Sequence, residues 1–111
     1  MQTMLVRPHV TIVQPKGYVN ASNAVDFQSQ LTTAVSSPDL SILLVDMEQV
    51  EYIDSAGLMA LISALNLAQN LERRLSICSV SPSVRMIFEL TQLDRVFEIF
   101  ESRAAFEAAL S

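Results

Sequence analysis

Apolar residues in this chain recur with two different periods, and the changes of period mark the elements. Val10, Thr11, Ile12 and Val13 form a short β-rich run. Met4, Leu5 and Val6 form another beyond Arg7, Pro8 and His9. These predict two strands, over residues 4–6 and 10–13. Pro15, Lys16 and Gly17 are turn residues, and Tyr18 and Val19 are suited to resume a strand. Asn20, Ser22 and Asn23 are helix-capping types. They precede Val25, Phe27, Leu31, Ala34 and Val35 at near-helical spacing, which predicts a helix over 22–36. Pro38 ends it, because proline disfavours helix in the residue before it. Residues 40–47 are apolar apart from Ser41 and Asp46, as expected of a strand buried on both faces in a parallel sheet.

A second helix is predicted over 56–70, with Leu58, Leu61, Ile62, Leu65 and Ala68 along one stripe. Its opposite face carries Met59, Ser63, Asn66, Leu67 and Asn70. Arg73 and Arg74 follow, at a helix end where cations are favoured. Residues 75–80 alternate strictly and predict a strand. Ser81 followed by Pro82 is a helix start, and Val84, Ile87, Phe88 and Leu90 are its expected buried positions. Residues 96–100 predict a last strand. Ser102 then caps a terminal helix carrying Ala105, Phe106, Ala109 and Leu110. The order ββαβαβαβα predicts an α/β fold, a mixed sheet of four to five strands with four helices packed on it.

Composition narrows the function classes. The chain has 111 residues, half of them hydrophobic, and a formal charge of -5. That length makes one domain, residues 1–111. Lys16 is the sole lysine, and no basic patch exists to neutralise phosphates, so nucleic-acid binding is not expected. Cys78 is the only cysteine and has no disulfide partner within the chain, which suits a reducing compartment. The apolar run from Ser55 to Leu71 is broken by polar residues and is shorter than the roughly 20 residues of a membrane span. Arg7, Pro8 and His9 interrupt any signal-like pattern. A cytoplasmic protein is the expectation.

The most informative stretch is Val50, Glu51, Tyr52, Ile53, Asp54, Ser55, Ala56, Gly57 and Leu58, between a buried strand and a helix. Asp54 or Ser55 is placed to cap that helix, with Gly57 giving the turn room. Beyond capping, Ser55 stands at the lip of a helix face without charge. Solvent faces usually carry Lys, Glu or Arg, so a face of Met, Leu and small polar residues fits a partner surface. Catalysis is poorly supported. The nucleophile-elbow pattern fails at Ile53, and the single histidine, His9, lies far upstream. Asp46 ends a strand as a phospho-accepting aspartate does, yet no acidic pair or later lysine accompanies it. It is expected to accept hydrogen bonds from the following loop. Glu48, Glu51 and Asp54 lack calcium-loop spacing and form an acidic rim. Cys78 is expected to be a small buried hydrophobe. Pro15, Lys16 and Gly17 are too few and too poor in glycine to cradle a nucleotide phosphate. No metal and no cofactor is expected.

Ile42-Leu43-Leu44-Val45-Asp46, Val50 and Ile53-Asp54-Ser55-Ala56-Gly57-Leu58 resemble the signature of STAS domains, specifically the bacterial anti-sigma factor antagonists. Gly17-Tyr18-Val19-Asn20, Ser81-Pro82-Ser83-Val84 and Leu90-Thr91-Gln92-Leu93-Asp94 extend the resemblance in the family's order. The resemblance implies a regulatory protein without enzymatic activity. Its serine, matching Ser55, is phosphorylated by an anti-sigma factor that is itself a serine kinase, and a metal-dependent serine phosphatase restores it. A single domain without membrane spans matches these antagonists rather than the transporter-attached branch. Many members carry aspartate where this chain has Asn20, a position near the partner surface. The expected partner-binding set is Asn20, Asp54, Ser55, Ala56, Gly57, Leu58, Met59 and Ser63. The alternative is a constitutive scaffold module in which Ser55 is only a helix cap.

Overall fold

A computed structural model describes residues 10–38 and 42–110. Strands β1 (Val10–Val13) and β2 (Gly17–Val19) lead into helix α1 (Ala24–Val35). Strands β3 (Ile42–Asp46) and β4 (Val50–Ile53) lead into α2 (Ser55–Asn70). Strand β5 (Arg74–Cys78), α3 (Pro82–Leu90), a 3₁₀ turn (Leu93–Arg95), β6 (Glu98–Phe100) and α4 (Arg103–Leu110) complete the chain.

Four strands make one sheet in the order β1-β3-β5-β6, and β2 pairs separately with β4. Each pairing among the described residues is parallel. Within the larger sheet every passage between paired neighbours includes a helix, and a crossover of that kind returns the chain in the same direction. β3 lies inside the sheet with all of its residues buried, as its continuous apolar run predicts. Its side chains alternate between two cores. Leu43 and Val45 join the large cluster under α1, α2 and α3, whereas Ile42 and Leu44 join a small cluster with Cys78 and Phe106.

The α/β class and the four helices agree with the sequence pattern, but the strand count differs. Val50–Ile53 is a strand that periodicity did not separate from the loop, so the described residues form six strands in two groups where four to five in one sheet were expected. Its four residues place only Val50 and Ile53 inward; held by β2, it needs no long apolar run. The strand expected over 4–6 lies outside the described residues, as do the first residues of the run over 40–47. Leu90 is not part of the buried stripe of α3: it is 78% exposed. Val84 and Phe88 define that stripe, and Leu90, two residues beyond Phe88, points about 200° away around the helix. Arg73 also differs from expectation. Its guanidinium donates to the carbonyls of Val35 and Ser37 at the end of α1, rather than serving α2.

Candidate functional site

The junction of β4 with α2 is built around one carboxylate. Asp54 has extended backbone and caps α2, its Oδ1 accepting the Gly57 N–H at 3.0 Å. Its Oδ2 accepts the Ala21 N–H at 3.2 Å, while its own N–H donates to the Val19 carbonyl at 3.0 Å. One side chain therefore fixes the start of α2 and ties it to the loop entering α1.

Because Asp54 takes the cap, Ser55 does not. Ser55 is the first helical residue, and its side chain is exposed and makes no hydrogen bond to a described residue. This corrects the expectation of a helix starting at 56 with Ser55 as a possible cap. A side chain at the first helical position cannot accept from the amides of its own first turn as a preceding residue can. The hydroxyl is thus available, at the end of the helix where the backbone carries partial positive charge.

Asn20 stands on the other side of the lip, with its side-chain oxygen engaged locally. Oδ1 accepts the Ser22 N–H at 3.0 Å and the Ser22 hydroxyl at 2.6 Å. The Asn20 N–H donates to Asn23 Oδ1 at 2.9 Å, and Asn23 Nδ2 donates to the Tyr18 carbonyl at 2.8 Å. This loop is a set of side-chain turns that competes with helix until Ala24.

The remaining candidate residues divide by burial. Met59 is 58% exposed, and Ala56 and Ser63 are half-buried. With Ser55 they share one side of α2, together with exposed Asn66 and Asn70. Gly57 and Leu58 are buried. Within this chain their role is packing at the start of α2. Leu58 belongs to the large core. Gly57 is required by close approach: a Cβ there would lie 2.6 Å from Ile53 Cγ1 and 2.8 Å from Val19 Cγ1. The small residue lets α2 sit down on the β2–β4 pair, and this places Ser55 at the rim. Leu67, assigned to the outer face by periodicity, is half-buried and packs on the core.

Two surface residues were not marked by the sequence reading. Tyr18 and Tyr52 are register partners on β2 and β4, exposed by 59% and 48%. Their neighbours Val19 and Ile53 are buried, so alternation within each short strand was the available signal. In sequence Tyr18 lies two residues before Asn20, and Tyr52 two residues before Asp54 and next to exposed Glu51.

The other candidates have structural partners. Asp46 is buried and accepts from the Glu48 N–H at 3.0 Å, as expected of a strand-end carboxylate. It also accepts from Gln14 Nε2 at 3.0 Å and Arg103 Nη2 at 2.9 Å. Burial pushes its pKa up, and these hydrogen bonds more than offset that, holding it below the usual value. Arg103 escaped the sequence reading because 57 residues separate it from Asp46. Cys78 is buried, and burial pushes its thiol pKa up, so it is a poor nucleophile. Among the described residues no His, Cys, Asp and Glu side chains group as a metal site, and His9 lies outside them. Among the described residues no helix is long and apolar enough to cross a membrane.

This fold recurs in known proteins. The family model of the STAS domain matches residues 2–105. BtrV of Bordetella bronchiseptica, named as an anti-sigma factor antagonist, is 30% identical over 94 residues, spanning 85% of this chain and 80% of that protein. An anti-sigma factor antagonist from Mycobacterium paratuberculosis superposes with a TM-score of 0.81 at 24% identity, over 97% of this chain and 92% of its own. The antagonist SpoIIAA superposes in its unphosphorylated form with a TM-score of 0.75 at 16% identity, over 96% and 92% of the two chains. The phosphorylated form of SpoIIAA, from Bacillus, gives 0.68 at 15% identity, over 96% of each. The chain belongs to the STAS domain family, in its anti-sigma factor antagonist branch.

Proposed function

We propose that this protein is a cytoplasmic partner-switching regulator that binds a serine-kinase anti-sigma factor while Ser55 is unmodified and releases it once Ser55 is phosphorylated. One observation carries the reading: the Ser55 hydroxyl is exposed and bonds no described residue, because Asp54 performs the capping. In the modification, Ser55 Oγ attacks the γ-phosphorus of ATP, the bond to the β–γ bridging oxygen breaks, and ADP leaves. The serine proton passes to a base on the kinase. A metal-dependent serine phosphatase reverses the step by hydrolysis. The docking surface is formed by Ser55, Ala56, Met59 and Ser63 on α2, with Asn20 and Asp54 across the lip.

The added group brings about -1.5 to -2 charges. The start of α2 welcomes them, by roughly 0.3–1 kcal/mol, and the nearby carboxylates of Asp54 and Glu51 oppose them. The fold therefore changes little. Binding changes more, since the phosphate must be desolvated against a partner face that fits an uncharged helix. A coupling of about 1–3 kcal/mol alters affinity roughly 5- to 150-fold. SpoIIAA, solved in both forms with this fold, supports a switch that leaves the scaffold intact.

The test is incubation with ATP and an extract of the source cells, followed by intact-mass measurement and site mapping. A single phosphate on Ser55, absent from Ser55→Ala, is expected. Ser55→Ala should retain the kinase on a column, and Ser55→Asp should bind it at least 5-fold more weakly. Phosphate on another residue, or parental affinity in Ser55→Asp, would overturn the switch.

A further inference from the structure

Helix α3 buries Val84 and Phe88 and exposes Met86 and Leu90, by 59% and 78%. Each exposed residue stands two positions beyond a buried one, about 200° round the helix. Met86 and Leu90 are four apart, so they form one apolar row facing away from the core. Single exposed apolar residues are ordinary on a protein surface. Here two of them stack at helical spacing, on the same side of α3 as exposed Ser83 and Glu89.

The charges beside that row are unpaired among the described residues. Arg85 and Glu89 lie four apart along one border of it. The ion pairs among the described residues are Arg74 with Glu98 and Arg103 with Asp46, and neither Arg85 nor Glu89 has a side-chain partner there. Arginine before glutamate is also the weaker order for a pair within one helix. Rotated about a two-fold axis at its middle, the border is complementary to itself. An antiparallel copy of α3 sets its Glu89 opposite Arg85 and its Arg85 opposite Glu89. Met86 and Leu90 of the two copies then meet across the axis, as a two-fold contact requires.

We propose that α3 is the contact of a weak, reversible homodimer, in which the Met86–Leu90 rows of two copies pack antiparallel between two reciprocal Arg85–Glu89 pairs. The charge of -5 on each chain opposes association at long range. That repulsion is screened beyond about 8 Å at physiological ionic strength, whereas the opposite charges at the border act at contact. A helix of nine residues offers about 13 Å of length, less contact than a permanent dimer uses. The dimer therefore forms and dissociates with concentration. Ser55 lies on a different helix, and the inference does not rest on its phosphorylation.

Sedimentation equilibrium of the full chain from about 10 μM to about 1 mM, the range of a weak contact, tests this. The apparent mass should climb from that of one chain toward that of two. Leu90→Lys puts a charge into the row and should weaken dimerisation at least ten-fold, with the urea midpoint unchanged because the position is exposed. Arg85→Glu and Glu89→Arg should each weaken it about ten-fold, since both border pairs become like-charged. An equal mixture of those two variants should associate more tightly than either alone, because each supplies the charge the other lacks. A parent that stays monomeric throughout, as it would if the row served a different protein, overturns the homodimer. Parental dimerisation in Leu90→Lys overturns it too, as does a mixture that associates no better than its components. None of these results alters the Ser55 mass measurement, and a Ser55 that takes no phosphate leaves the dimer standing.

Discussion

Asp54 decides what Ser55 is free to do. The chain places a capping aspartate directly before the serine, and the two oxygens of that aspartate serve Gly57 and Ala21. Cap loss costs about 0.5–2 kcal/mol. Asp54→Ala should lower stability by about that amount in urea unfolding. It should also loosen the loop at Asn20 and Ala21, seen as faster exchange of the Ala21 amide. Asp54→Asn keeps an acceptor for one partner and should cost less. If Asp54→Ala matches the parent, the carboxylate does not organise the junction. That Asp54 or Ser55 starts a helix was legible from capping chemistry. Which of them caps was not, because both types accept hydrogen bonds and only backbone geometry separates them.

At the scale of elements, α1 and α2 pack as a pair and are joined at one end by Arg73. The last turn of α1 contains no basic residue, and its free carbonyls are met instead by a guanidinium 38 residues away in sequence from Val35. A hydrogen bond from a charged group contributes about 1.5–3 kcal/mol. Arg73→Ala should lower stability by a similar amount and raise exchange of the last α1 amides, with little effect near Ser55. Arg73→Lys should recover only part, since an ammonium lacks the planar fork that spans two carbonyls. The same scale exposes the limit of periodicity. α1 and α2 were legible from their stripes, whereas β4 was not, because its four residues bury two side chains and gain their pairing from β2.

Across the whole molecule, acid should unfold the protein through two carboxylates. Asp46 is pushed up by burial but held down further by the Glu48 amide, Gln14 and Arg103, with a net lowering. The bidentate contact with Arg74 lowers Glu98, burial opposes it, and the Ser76 hydroxyl adds to the lowering. Both groups bind a proton less readily in the fold than in the unfolded chain, whose carboxylates titrate near about 4. Their stabilisation is therefore complete above that range and is lost as pH falls through the lowered folded values. Urea midpoints should be flat above it and drop below. Asp46→Asn should shallow that acid loss while reducing stability at neutral pH. An unchanged acid slope in Asp46→Asn would remove Asp46 from the account. Neither pairing was legible in sequence, since Arg103 and Glu98 meet their partners only through sheet order.

By itself the sequence determined the α/β class, the four helices and the stretch around Ser55, because these rest on local periods, caps and turn residues. Tertiary structure alone decided that Ser55 bonds no described residue, that Gly57 and Leu58 are buried, and that Asp46 pairs with Arg103 of α4. These depend on which strand lies beside which. Register brings Val19 of β2 against both Asp54 and Gly57, and no spacing along the chain encodes a contact made between neighbouring strands.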